Sequence, residues 1–150
     1  MGYTHYFSFK PVNERQWRDI ETRYKRAILD CQRIVKAFYA KHGRISGYSA
    51  HTPLGRYGGL KVNGKGIDAC EAFELREHYG QNLRDFKGYC KTNGLPYDTV
   101  VTACLAVLKH RLGDAIQLHS DGNRHDWSYG VRLARRVTGL KLKNPIVCLD

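Results

Sequence analysis

Several things that the 150-residue sequence lacks narrow its reading before any element is placed. No apolar run approaches the roughly 18 residues of a membrane span, and the N-terminal residues show no signal-peptide pattern. No membrane partner is therefore expected. Acidic residues are scarce: 14 Asp and Glu stand against 25 Lys and Arg, a formal net charge of +11. That excess excludes an acidic nucleic-acid mimic and favours an anionic partner, whether nucleotide, nucleic acid or acidic protein surface. The five cysteines, Cys31, Cys70, Cys90, Cys104 and Cys148, are odd in number and include no C-x-x-C pair. A secreted disulfide scaffold would be shorter and evenly paired, so reduced thiols in a cytosol are expected. The seven histidines contain neither H-x-x-x-H nor H-E-x-x-H, and no metal site is expected from local spacing. Missing too are G-x-x-x-x-G-K-[ST], G-x-G-x-x-G and G-x-S-x-G, so a P-loop, a dinucleotide cofactor and a hydrolase elbow have no local warrant. The paired His-x-Thr or His-x-Ser motifs of a two-histidine phosphodiesterase are not formed by His5-Tyr6-Phe7, His51-Thr52 or His119-Ser120. These absences weigh against an enzyme and against a cofactor.

What is present describes one folded α+β domain over residues 1–150, since apolar residues make up 42% and charged residues 26%. Residues 2–9 are aromatic and β-branched and read as a strand, with Tyr3, His5, Phe7 and Phe9 on one face and Thr4, Tyr6 and Ser8 on the other. Asn13 with Gln16 suggests a capping box opening a long amphipathic helix. Trp17, Ile20, Tyr24, Ala27, Ile28, Cys31, Ile34, Val35 and Phe38 recur along it at three- and four-residue steps up to Gly43. Residues 44–59 have no periodicity and read as a long surface loop. Leu60-Lys61-Val62 followed by Asn63-Gly64 predicts a hairpin turn, and Cys70 to Leu75 a strand in the same sheet. Phe86 to Thr92 reads as a further short strand. A buried helix is expected after Pro96 and up to Gly113, then a strand over 115–119. Ser120-Asp121-Gly122-Asn123 is a turn able to cap a last helix striped by Trp127, Val131, Ala134 and Val137. Residues 140–150 read as a tail, with a final strand or docking segment from Pro145. The resulting β-α-β-β-α-β-α order predicts a mixed or mainly antiparallel sheet with helices on one face.

Three features could carry chemistry. Tyr3, His5 and Tyr6 put flat side chains on a strand, where they either fill the core or stack a base. Lys91 and Thr92 before the Pro96 helix, and Ser120 and Asp121 before the last helix with His119 beside them, are polar turns at helix N-termini that suit anions. Asp121 could cap the helix or hold ribose hydroxyls. Arg132, Arg135 and Arg136 either form a solvated helix face or fork the oxygens of a phosphate.

The opening Met1-Gly2-Tyr3-Thr4-His5-Tyr6-Phe7 resembles the start of a family of small phage and prophage proteins of unassigned activity. The strings Cys90-Lys91-Thr92, Pro96-Tyr97-Asp98, Ala103-Cys104-Leu105, Lys109-His110, Gly113-Asp114 and Ser120-Asp121-Gly122 extend the resemblance. It covers the first strand and roughly residues 86–130. It implies a viral accessory protein in the cytoplasm of a bacterial host and supplies no catalytic residues. Three functions then compete. The first is sequestration of an anionic nucleotide-type host immune signal in counter-defence, using Tyr3, His5, Tyr6, Lys91, Thr92, His119, Ser120, Asp121 and the three arginines. The second is an anti-CRISPR-like binder of nucleic acid or a nucleoprotein complex. The third is a small phosphodiesterase with His5, His119 or Asp121 as acid or base. A homo-oligomer is compatible with all three.

Overall fold

The computed structural model describes residues 3–55, 58–84 and 86–146, so position 2 of the expected first strand and residues 147–150 of the tail lie outside the described residues. The first strand, β1 (Thr4–Phe9), alternates from His5 onward: His5, Phe7 and Phe9 are buried while Tyr6 and Ser8 are exposed, but Thr4, expected on the outer face with Tyr6 and Ser8, is buried as well. It is the central strand of a three-stranded antiparallel sheet in the order β5-β1-β6, where β5 is Tyr89–Lys91 and β6 is Ile116–Ser120. Thr4, His5 and Tyr6 pair with Lys91, Cys90 and Tyr89 on one side. On the other side His5 to Phe9 pair with Ser120 to Ile116. Behind the inward face Phe7, Phe9, Tyr24, Phe73, Tyr79 and Phe86 meet edge to face. Each such ring contributes about 2–3 kcal/mol by leaving water.

The long helix α1 (Glu14–His42) starts where Asn13 accepts the Gln16 N–H at 3.0 Å and stops at Gly43, whose N–H still bonds back to the Tyr39 carbonyl while its positive φ of 62° turns the following chain out of the helix. Ile20, Tyr24, Ala27, Ile28, Cys31, Ile34, Val35 and Phe38 are buried along one stripe. Trp17, expected on that stripe, is 40% exposed and rests against Tyr79 at the stripe's edge. Helix α3 (Asp98–Leu112) is buried on nearly every side, as a helix apolar all round must be. It lies between α1 and α4 (Arg124–Thr138), which opens at an Asn123–Asp126 capping box and closes at Gly139. The three helices occupy the inward side of the first sheet, whose outer face stays open.

The middle of the chain departs from expectation. Residues 44–59 hold a two-residue strand, β2 (Ile45–Ser46), and a one-turn helix, α2 (Tyr48–His51), with Ile45 fully buried. Asn63-Gly64 is not a hairpin turn, because β3 (Leu60–Gly64) runs straight through it. Asn63 instead pairs its side-chain amide with the backbone of Cys70, and Gly64 leaves room for the Asp68 carbonyl, which a Cβ would approach at 1.7 Å. Strand β4 (Phe73–Leu75) pairs with β3, giving a second antiparallel sheet, β2-β3-β4, in place of the single sheet expected. The architecture is α+β in a single unit. No described helix is long and apolar enough to cross a membrane.

Candidate functional site

The strand ends of the first sheet gather most of the residues singled out in the sequence, and the sheet divides them between its two faces. On the inner face His5 is fully buried. Its Nδ1 is 2.7 Å from Ser120 Oγ and its Nε2 is 2.5 Å from Asp98 Oδ1. Ser120 Oγ already accepts the Gly122 N–H at 2.9 Å and the Trp127 indole N–H at 3.0 Å. Both lone pairs are therefore engaged, so the hydroxyl proton must point at His5 Nδ1 and the ring proton must sit on Nε2, donating to Asp98. Asp98 Oδ1 also accepts from the Thr92 hydroxyl at 2.6 Å, and Thr92 in turn accepts the Gly94 N–H at 3.2 Å. Tyr3 and Trp127 close over the imidazole edge to face at 5.1 and 5.2 Å.

This chain resembles a serine–histidine–aspartate relay only in composition. A serine oxygen with both lone pairs accepting N–H bonds has none free for attack, and a fully buried imidazole cannot exchange protons with an outside substrate. His5, Thr92 and Ser120, expected to touch a ligand, are instead a structural lock joining β1, β5, β6, α3 and α4. The buried Tyr3 hydroxyl has no hydrogen-bond partner among the described residues, since the neighbouring Ser120 oxygen is saturated. Burial pushes the Tyr3 phenol well above its usual range, and the charges of Asp98 and Asp126 add to that.

The outer face carries different residues. Because Tyr6 pairs with Tyr89 on one side and His119 on the other, three flat side chains stand in one cross-strand row, Tyr89–Tyr6–His119. The row spans about 10 Å, twice the distance between neighbouring strands. Tyr6 and Tyr89 are 44% and 45% exposed, and the Tyr6 and His119 rings stand 5.8 Å apart at 38°. Lys87 holds its ammonium 4.7 Å above the Tyr89 ring while pairing with Glu71 at 3.5 Å. The next row is Lys91, Thr4 and Asp121. Asp121 does not cap α4, a role taken by Asn123. Its Oδ2 accepts the Thr4 N–H at 3.0 Å, and the residue is exposed. On the opposite flank a shallow cavity of about 540 Å³ opens between Tyr6, Ser8, Gln117 and His119, with Lys109 and Pro145 at its rim.

The arginines do not join this site. Arg135 points its Nε at the Leu142 carbonyl at 2.8 Å and holds down the segment after α4. Arg132 and Arg136 line another groove, with Lys41 and Arg44. Among the described residues no three His, Cys, Asp or Glu side chains cluster as metal ligands. Tyr89 and Lys87 escaped the sequence reading although the strand around them was foreseen, because cross-strand register leaves no mark within one strand. Asp98 and Trp127 stood out only as a motif residue and an apolar stripe residue.

No family model, characterised protein or solved structure matches the chain. Its activity has to be argued from its own geometry.

Proposed function

We propose that the protein binds an anionic nucleotide-type ligand on the open face of its first sheet and holds it without cleaving it. The row Tyr89–Tyr6–His119 carries this reading: three exposed flat side chains in register offer stacking surfaces, each worth about 1–3 kcal/mol to a base. Lys91 and Lys87 stand beside the row as phosphate partners, and the exposed carboxylate of Asp121 suits a ribose hydroxyl. Among the described residues no hydrogen bond joins the Ser8 hydroxyl on this face to His119, which favours capture over turnover. In a phage accessory protein, the source that the sequence resemblance implies, such capture would withdraw a nucleotide immune signal from the host.

Depletion and release tests it. Protein is incubated with cyclic dinucleotides and ADP-ribose derivatives, filtered, and the filtrate chromatographed before and after heating. A peak that vanishes and returns intact is the expected result, with Tyr6→Ala weakening retention by about 10- to 100-fold, as the loss of one stacking platform implies. An undepleted panel, or a new product peak, overturns the proposal.

A further inference from the structure

The end of α1 and the exposed face of α4 enclose a groove of about 420 Å³ that shares no lining residue with the cavity on the sheet face. Lys41, Arg44, Arg132 and Arg136 line it, together with His42 and Tyr129, and no carboxylate does. We infer that this groove grips the phosphate backbone of a nucleic acid, at a site separate from the sheet-face platform.

Basic helix faces are commonly neutralised by acids one turn away. Helix α1 follows that pattern, with Arg23 on Asp19 at 3.0 Å and Arg33 on Asp30 at 3.8 Å. Helix α4 does not. Its one acid, Asp126, is engaged in the N-terminal capping box. Among the described residues, Lys41, Arg132 and Arg136 have no carboxylate partner. Arg44 gives only its Nε to Asp68, at 3.0 Å. It is set at the groove by two successive positive-φ residues after the helix, Gly43 and Arg44 itself, at 62° and 54°. The charges thus come from two helices and a turn, and three of the four meet without a neutralising carboxylate among the described residues, which costs self-repulsion that a polyanion would relieve. Tyr129 is 54% exposed and lies 5.3 Å under the Arg132 guanidinium, a flat surface at the rim for a base or sugar. The cations come from separate elements along an open groove, an arrangement that suits a repeating chain of phosphates.

The test is the salt dependence of binding to fluorescent 20-nucleotide single-stranded and duplex probes by anisotropy. Each phosphate contact contributes about 0.9 to the slope of log affinity against log salt on duplex, and about 0.7 on single strand. The double variant Arg132→Ala/Arg136→Ala is expected to bind at least tenfold more weakly at low salt, with a slope shallower by about 2. Lys at both positions should keep most of the slope. Lys25→Ala/Arg26→Ala, which removes equal charge from the exposed face of α1 away from the groove, should change little. Equal losses from both Ala pairs would reduce the effect to net charge and overturn the inference, as would no measurable binding by the wild type. Tyr6→Ala should leave the slope unchanged, and the Arg132/Arg136 variant should still deplete small nucleotides, so the two sites fail separately.

Discussion

At the scale of single residues, the lock around His5 decides what the fold can tolerate. The imidazole supplies a donor to Asp98 and an acceptor to Ser120, and no hydrophobic side chain of similar size replaces both. His5→Ala leaves a buried carboxylate and a buried hydroxyl short of a partner, with an expected loss of about 3 kcal/mol in chemical denaturation. Asp98→Asn keeps an oxygen facing His5 and Thr92 and should cost far less. Similar losses for the two would show that charge, not hydrogen-bond complementarity, matters at this point. His5 was legible in the sequence as a residue that mattered, but its role was not. Alternation put it on the Tyr3–Phe7–Phe9 face, and only the partners arriving from residues 98 and 120 show that this is the covered face.

At the scale of elements, the three long helices were readable because each buries a stripe or surface that local periodicity reports. Their caps, Asn13, Gly43, Gly113 and Gly139, stand where the apolar pattern begins or ends. The second sheet was readable only in part: strands over Leu60–Val62 and Cys70–Leu75 in one sheet were foreseen, and β3 and β4 do pair. Its separation from the first sheet and the two-residue β2 were not, because so short a strand shows no alternation and the Asn-Gly pair serves a side-chain bridge and a close carbonyl in place of a turn. Contact between α3 and α4 depends on one small residue. A Cβ at Gly130 would stand 2.0 Å from Thr102 Oγ1 and 2.7 Å from the Ala103 nitrogen. Although alanine is the better helix former by about 1 kcal/mol, Gly130→Ala is expected to lower stability by about 1–3 kcal/mol, because the backbone of α3 cannot give way as a flexible side chain would. A melting temperature at or above that of the wild type would show that the helices can slide apart freely.

For the whole molecule, buried acids tie stability to alkaline pH. Burial, reinforced by Glu71, lifts the Cys90 thiol from 9.0 to about 12. Burial likewise raises the Tyr24 and Tyr97 phenols well above their usual range. In the unfolded chain these groups lose their protons first, so above about pH 9 the unfolded state binds fewer protons and is favoured as pH rises. The contribution is complete below pH 9 and declines toward pH 12. Thermal midpoints should therefore hold near neutrality and fall above pH 9, with tyrosinate absorbance from the buried rings rising together with unfolding. A gradual tyrosinate signal from a chain that keeps its tertiary circular dichroism would contradict this. The topology also sets a timetable for synthesis. β1 is central in its sheet yet is the first strand made, and His5 finds Ser120 only 115 residues later. At usual translation rates that interval is on the order of ten seconds. For most of it, until β5 is made, the aromatic strand has neither of its neighbours, and its second partner follows only with β6, leaving its apolar face uncovered on the nascent chain.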